Sequence, residues 1–169
     1  MPDVVQPGTR LTSNLLTYRS PYVVAHASLT TNSSTINSTT EVTILTTGSV
    51  TFTAGRAYRF EYHGLAQHTS VNVAGILYLR FHRGSGALIR NIQNIVAANE
   101  GTNNRNTSID VATLATPTAT VTDTVYLTAA RDTGVATTWV MAGTAGTPGL
   151  LTVHDVGPAS DYPGITTFS

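Results

Sequence analysis

The chain has 169 residues and no cysteine, and its nine basic residues, all of them arginine, balance nine acidic residues to a net charge of zero. These counts exclude a disulfide framework, a thiol nucleophile, a cysteine-ligated metal and every role that needs a lysine amine. A neutral chain lacks the positive charge from which nucleic-acid binding draws most of its affinity, so no nucleic-acid partner is expected.

The polar surface of this chain is unusual. Charged residues make up 11% of the sequence, against about a quarter in an average protein. Threonine is the dominant polar residue, and its β-branched side chain favours strands. A weakly charged surface rich in threonine and valine is atypical of a free monomer and predicts that much of it meets other subunits.

Residues 1–20 are predicted to form an N-terminal docking arm. Prolines and a glycine punctuate its extended start, and Leu11 is spaced to pack on Leu15 or Leu16 across one helical turn. The arm can dock on its own domain or on a neighbouring subunit, and the sequence leaves both open. It has no basic region followed by an apolar core, and no apolar run is long enough to cross a bilayer, so no signal peptide and no membrane partner are expected.

The residues that follow are a series of short apolar segments separated by polar turns. Alternation of apolar and polar side chains, the period of two that a half-buried strand shows, marks most of them. The segment 87–98 also matches helical spacing, but its isoleucines and its place between strands favour a strand with a bulge. Pro117 restricts the second half of segment 108–121 to an edge or a crossing. The predicted strands are 21–29, 41–46, 49–53, 58–63, 71–81, 87–98, 108–121, 123–130, 135–142 and 150–156.

The clearest pattern lies in residues 49–63. Two alternations of apolar and polar residues, 49–53 and 58–63, flank a short gap that contains Gly55. A glycine in such a gap can adopt the positive φ that a short hairpin loop needs. The two runs are therefore predicted to pair with each other as an antiparallel hairpin.

Short strands separated by turns about every ten residues predict an all-β fold, an antiparallel β-sandwich of jelly-roll type with extended N- and C-terminal arms. The expected organisation is the docking arm at 1–20, a β-sandwich domain at 21–157 and a C-terminal tail at 158–169. The tail holds two prolines and little periodic pattern, so it is expected at the surface.

The histidines are the first candidates for catalysis or metal binding. His63 and His82 fall on the polar faces of strands expected to be neighbours, and Glu61 shares a face with His63, which gives one alternative, a cluster of two histidines and a carboxylate. No HxH or HExxH spacing supports it. The pair His154 and Asp155 suggests a catalytic triad, but no Gly-x-Ser-x-Gly nucleophile turn accompanies it. No catalytic residue, no metal site and no cofactor is therefore predicted.

Aromatic residues alternate with polar ones along the predicted strands, and two interpretations follow. They form either the hydrophobic core or a platform on which a sugar ring stacks, and the alternation favours the core. The residues concerned are Tyr58, Phe60, Tyr62, Tyr78, Phe81 and Trp139.

Three segments, PGTRLTSNLL, VTFTAGRAYRFEYHGLAQ and LLTVHDVGPASDYP, stand in this order along residues 7–163. In that order the chain resembles small virion structural proteins of tailed bacteriophages of actinobacteria, often labelled minor tail proteins. The resemblance implies a jelly-roll-like sandwich, a homotrimer and a place outside the particle, without enzymatic activity. It transfers no catalytic residue, and it leaves the tail and the capsid open as locations.

The sequence thus predicts a non-enzymatic phage virion protein, made in the host cytoplasm and attached to the external surface of the particle as a capsid decoration or minor tail protein. Its expected partners are its own copies in a homotrimer and other virion proteins, namely major capsid or tail proteins. The candidate assembly contacts are Leu11, Leu15, Leu16 and Tyr162. The alternative is a receptor-binding module that recognises a glycan on the host surface.

Overall fold

A computed structural model describes residues 21–69, 74–97, 105–133 and 137–169, apart from the side chains of 91–97 and 105. Regular structure in these residues is almost entirely β-strand. The strands are β1 (Tyr22–Leu29), β2 (Val42–Thr46), β3 (Val50–Phe52), β4 (Arg56–His68), β5 (Gly75–Arg83), β6 (Leu88–Ala97), β7 (Arg105–Pro117), β8 (Val121–Asp123), β9 (Val125–Arg131), β10 (Trp139–Ala142), β11 (Gly149–Pro158) and β12 (Thr166–Phe168), with a 3-10 turn at Ala159–Asp161.

These strands form two packed sheets and a short ribbon. The large sheet has the order β1-β11-β4-β7-β12, with β10 alongside the end of β4. The small sheet has the order β2-β9-β5-β6, and β3 pairs with β8 in the short ribbon. Side chains alternate along each strand between an inner face, buried between the sheets, and an outer face.

The antiparallel pairs nest inside one another along the chain. β5 pairs with β6, and around them lie β4 with β7, β3 with β8, β2 with β9 and β1 with β11. The register continues from one pair into the next: between the pairs Val50–Asp123 and Tyr58–Ala115, each strand moves by eight residues. The chain is therefore one long antiparallel ribbon, of which the short β3–β8 ribbon is one part. The long ribbon turns back on itself after β5, and its length is rolled into the two sheets.

Nested strand pairs distributed over two sheets are the jelly-roll arrangement. The predicted fold class, an all-β antiparallel sandwich of jelly-roll type, is confirmed. The segment 87–98 contains a strand whose pairing with β5 has register irregularities, as predicted. β7 ends at Pro117, and the chain crosses there from the large sheet to β8 in the short ribbon, which is one of the two roles predicted for the second half of segment 108–121.

The predicted hairpin between 49–53 and 58–63 is wrong. β3 pairs with β8, whereas β4 pairs with β11, β7 and β10. The turn itself forms, since the Arg56 N–H donates to the Thr53 carbonyl over 3.2 Å and Gly55 has a φ of +79°. However, β3 and β4 are successive strands in the same half of the long ribbon. The turn therefore changes the direction of the chain, but β3 and β4 do not pair with each other.

The C-terminal segment 158–169, expected as a surface tail, is partly built into the large sheet. β11 extends to Pro158, and β12 pairs in parallel with the end of β7. Phe168 is 3% exposed, and burying one such side chain contributes roughly 1.5–3 kcal/mol. That contribution docks a strand of three residues, which is too short to show a periodic pattern in the sequence.

All four phenylalanines of the chain meet in the core, and we call them the phenylalanine cluster. The Phe60 ring on β4 lies 6.0 Å, centroid to centroid, from the rings of Phe52 on β3, Phe81 on β5 and Phe168 on β12. Phe52 and Phe168 meet edge to face at 5.3 Å, an arrangement that aromatic pairs favour. The cluster joins the large sheet, the small sheet and the short ribbon.

The other four aromatic residues predicted for the core lie on two different faces of their strands. Tyr58, Tyr62 and Trp139 are buried at 1% exposure or less, which places them in the core. Tyr78 is half-buried on the outer face of the small sheet, where its hydroxyl donates to Oδ1 of Asp132 over 3.2 Å.

Tyr62 reaches two glycines that leave space for its ring. A Cβ added at Gly149 would lie 2.7 Å from the Tyr62 hydroxyl oxygen, and one added at Gly64 would also collide with it. Within the described residues the hydroxyl has no hydrogen-bond partner. Burial raises the pKa of Tyr62 to about 12. The hydroxyl is therefore neutral at physiological pH, and the side chain acts through packing.

We expect Phe60→Ala to lower the free energy of unfolding by about 3–5 kcal/mol, because it leaves a cavity where the large sheet, the small sheet and the short ribbon meet. Leu88→Ala is the control, since this side chain is 46% exposed and its truncation should cost less than about 1 kcal/mol. Urea unfolding followed by the fluorescence of Trp139 measures both variants. Equal losses would contradict the central position of Phe60.

Candidate functional site

The outer face of the large sheet brings together charged groups that are far apart in sequence. On β4, Arg59, Glu61 and His63 alternate with buried aromatic residues. Because β4 pairs with β11 on one side and β7 on the other, His154 and Asp110 come to lie beside them. A row of opposite charges therefore crosses the sheet.

Glu61 is the central member of this row. Its Oε2 lies 3.1 Å from Nε2 of His154, and its Oε1 lies 2.9 Å from Nε of Arg59. Nδ1 of His63 lies 3.1 Å from Oδ1 of Asp110. Such partly exposed pairs each contribute about 0–1 kcal/mol, so they orient the side chains more than they stabilise the fold.

A second polar cluster lies on the outer face of the small sheet, around Glu41. Arg80 Nη1 lies 2.5 Å from Oε1, His82 Nε2 lies 2.8 Å from Oε2, and the Thr128 hydroxyl donates to Oε2 over 2.7 Å. Burial alone raises the pKa of Glu41, but the hydrogen bonds from Thr128 and Arg80, together with His82, outweigh it and lower the pKa overall. Glu41 thus links the start of β2 to β5 and β9 as a carboxylate.

One buried ion pair, which we call the clamp, joins the start of β4 to the end of β11. Arg56 donates from Nε and Nη2 to the two oxygens of Asp155, each over 2.5 Å. Gly157, at a bulge in β11 with a φ of +118°, donates its N–H to the same carboxylate over 3.0 Å. The two side chains are 12% and 3% exposed, so a bidentate pair acts here away from water.

The clamp explains two of the segments on which the family resemblance rests. The segment VTFTAGRAYRFEYHGLAQ supplies Arg56, and the segment LLTVHDVGPASDYP supplies Asp155 and Gly157. The hydrogen bond to Asp155 raises the pKa of Arg56, so the guanidinium stays charged. Both segments therefore act in holding the large sheet together.

The structure separates the histidine candidates. His63 lies on the outer face of the large sheet and His82 on that of the small sheet, since β4 and β5 belong to different sheets, so their cluster with Glu61 does not form. Asp155 faces the interior and the adjacent His154 faces outward, which leaves no His–Asp dyad between them. In the ranges described above, no group of three or more histidine or acidic side chains could hold a metal ion.

One edge of the large sheet combines a strand with a single described partner and two adjacent exposed apolar side chains. Tyr22 and Val23, at the start of β1, are 44% and 50% exposed. Among the described strands β1 pairs with β11 alone, so the backbone groups on its second edge, which we call the β1 edge, have no partner strand within the described residues. Such an edge beside exposed apolar side chains is a surface on which another chain can pair.

Of the four predicted assembly contacts, the structure describes one, Tyr162. Leu11, Leu15 and Leu16 lie outside the described residues. Tyr162 follows the 3-10 turn and is half-buried, and its hydroxyl donates to the Val156 carbonyl over 2.9 Å. The hydroxyl is thus engaged within the chain, and contact through the exposed part of the ring stays a prediction.

Sequence reasoning missed both the β1 edge and the clamp. Alternation identifies a strand, but its position at an edge depends on pairing with distant segments. Arg56 and Asp155 are 99 positions apart. The available signal was the parity of Asp155, which shares the inward face of β11 with Leu151 and Val153 and so required a buried partner.

No protein-family model and no curated protein matches the chain. Among solved structures, it is similar to a chain of infectious bursal disease virus, Gt strain, with 18% identity and a TM-score of 0.43 over 85% of this chain and 34% of that one. A mutant VP2 protein of infectious bursal disease virus, from derived T=1 particles, gives 14% identity and a TM-score of 0.43 over 93% and 41%. The chain thus spans well under half the length of either structure, and the similarity is too low to assign it to their family.

Among the residues that the structure describes, no helix has the length and apolar character needed to cross a membrane.

Arg56→Met should lower the free energy of unfolding by about 3–5 kcal/mol, because it leaves the Asp155 carboxylate buried without a counter-ion. The matched control is Arg59→Met on the same strand, which removes a pair whose arginine is 43% exposed and should cost about 0–1 kcal/mol. The double variant Arg56→Met/Asp155→Leu should be more stable than Arg56→Met alone. Chemical denaturation measures all three, and equal losses for the two single variants would refute the clamp.

Proposed function

We propose that the protein is a non-enzymatic structural component of a virus particle. In finer terms, it is a bacteriophage protein that forms homotrimers and attaches to the outside of the particle as a capsid decoration or minor tail protein. The observation that carries the proposal is the β1 edge, which offers unpaired backbone and exposed apolar side chains to another chain.

The fold is compatible with this assignment but does not select it. Jelly rolls of eight strands occur in viral capsid domains, in lectins and in cupins, and a shared fold does not by itself imply a shared function. The space between the sheets is filled by the phenylalanine cluster and other apolar side chains of the described residues. A filled interior of this kind favours a structural role, whereas an enzyme with an enclosed site would have a ligand cavity there.

The resemblance to small virion proteins of actinobacterial phages supports the finer statement. Two of the three segments that carry it provide the clamp between β4 and β11. These segments therefore belong to the architecture of the sheet and not to an active site. That assignment agrees with a protein whose function is to be built into a particle.

The distribution of charge favours association through apolar contact and backbone pairing. On the outer faces Glu41, Glu61 and Asp110 each lie beside a cationic or titratable partner of the same chain. With a net charge of zero, long-range attraction of a charged partner contributes little to association. Tyr22 and Val23, neighbouring exposed apolar side chains at the β1 edge, are the proposed contacts with a neighbouring copy.

The docking arm joins the domain at this same edge, because residue 21 directly precedes β1. Leu11, Leu15 and Leu16 are proposed contacts of the arm with a neighbouring copy or with another virion protein. Tyr162 is proposed as a contact from the opposite end of the chain.

We expect the purified protein to sediment at three times the 17.8 kDa of one chain. Val23→Asp should weaken this association about tenfold or more, because it buries a charge at the β1 edge. Thr167→Asp is the matched control, since it adds the same charge at an exposed polar position of β12, at the opposite edge of the large sheet, and should leave association nearly unchanged. Sedimentation equilibrium gives the mass of each variant, and a wild-type monomer at micromolar concentration would overturn the trimer.

Removal of residues 1–16 should reduce attachment to the particle while leaving the β-sandwich folded. The reason is that the removed residues precede β1 and contain the three proposed leucine contacts. Co-sedimentation with particles that lack the protein measures attachment, and circular dichroism measures folding. A truncated protein that fails to fold would refute this division of labour, as would one that attaches as well as the full chain.

A further inference from the structure

A groove with a volume of about 630 Å³ lies at the edge of the large sheet opposite β1. Residues 112–114 of β7 and residues 164–165 before β12 form its apolar and backbone surface, and Arg59 of β4 and Arg90 of β6 line it with charge. The jelly roll produces this arrangement because β6 and β7 are successive strands that belong to different sheets. The two arginines therefore reach the groove from two sheets.

The charge contributed to the groove by the described residues has one sign. Among the described lining residues, Arg59 and Arg90 are charged and none carries a carboxylate. Glu61 beside Arg59 offsets part of this charge, whereas Arg90 donates to the neutral Thr166 hydroxyl. Two arginines and one adjacent carboxylate therefore leave the groove with an excess of positive charge on a chain whose net charge is zero.

Both guanidinium groups are held in place and keep donors for a ligand. Nε of Arg59 lies 2.9 Å from Oε1 of Glu61 as an ion pair without hydrogen-bond alignment, and Nη1 of Arg90 donates to the Thr166 hydroxyl over 2.5 Å. Within the described residues these are their polar partners, so two nitrogens of each group are left for a ligand. Side chains that are already oriented lose less conformational entropy when they bind.

We propose that this groove binds the carboxylate of a small acidic sugar, with Arg59 and Arg90 as the two guanidinium ligands. The planar fork of arginine matches the geometry of a carboxylate and binds it with two parallel hydrogen bonds. Ala112, Leu114 and Ile165 supply apolar contact for the C–H face of a pyranose ring. The inference goes beyond the structural role proposed above and does not depend on it.

The size of the groove separates a small ligand from a protein partner. Its volume lies within the roughly 300–1,000 Å³ of small-molecule sites. Seven of the described residues line it, whereas a stable protein interface uses about 20–30 residues on each side. A carboxylate on an acidic peptide shares the charge but would need a larger surface, so the sugar is the occupant that the dimensions favour.

The test compares two sugars that differ only at C6. Isothermal titration of the full chain with glucuronate should give measurable binding, and glucose should bind about tenfold or more weakly, because it lacks the charged hydrogen-bond acceptor. In nuclear magnetic resonance spectra, glucuronate should shift the backbone amides of residues 112–114 and 164–165. These two measurements need no variant.

Variants then assign the two arginines. Arg59→Gln and Arg90→Gln should each weaken glucuronate binding about tenfold. Arg131→Gln, which removes the same charge from β9 in the small sheet, should leave it within about twofold. The proposal is overturned if glucose binds as tightly as glucuronate, if Arg131→Gln has the same effect as the groove variants, or if the dissociation constant for glucuronate exceeds about 10 mM. It is also overturned if a glutamate-rich peptide or inorganic phosphate binds the groove more tightly than glucuronate does.

Discussion

The packing of Phe60 against the three other phenylalanines is the interaction on which the rest of the fold depends. Its partners Phe52, Phe81 and Phe168 come from the short ribbon, the small sheet and the C-terminal strand. No cysteine or metal-binding group supplies another link between these parts in the described chain. The apolar area buried at this point therefore closes the sandwich and also fixes the last strand against its edge.

The rolled ribbon explains which features of the fold the sequence could predict. A period of two depends only on the burial of one face, so β1, β2, β5 and β11 could be located from alternation. The partner of each strand depends on the long ribbon. Consecutive strands in one half of it lie in different sheets, and each pairs with a strand from the other half. The run of β3, Gly55 and β4 looks locally like a hairpin, yet β3 pairs with β8 and β4 with β7. Local turn chemistry therefore predicts the bend at Gly55 correctly, but it does not determine which strands pair.

The same reasoning applies to the candidate sites. Parity placed Glu61 and His63 on an outer face correctly, but their partners His154 and Asp110 come from β11 and β7, which the sequence could not assign to β4. The clamp was hidden for the same reason, although an acidic residue on the inward face of a strand is a recognisable sign that a partner exists. Phe168 gave no periodic signal, because a strand of three residues contains at most two positions of one parity.

The two edges of the large sheet differ in a way that follows from the ribbon. At one edge, β1 is the first strand of the outermost pair, and nothing in the described chain follows to cover it. At the other edge, the short strand β12 covers the end of β7 in parallel, and residues 164–165, which precede β12, line the arginine-lined groove beside residues 112–114 of β7. The β1 edge offers a strand of eight residues for backbone pairing with a second chain, whereas β12 offers three. The proposed self-association therefore uses the β1 edge and the proposed ligand binding uses the opposite edge, so the two do not compete for one surface.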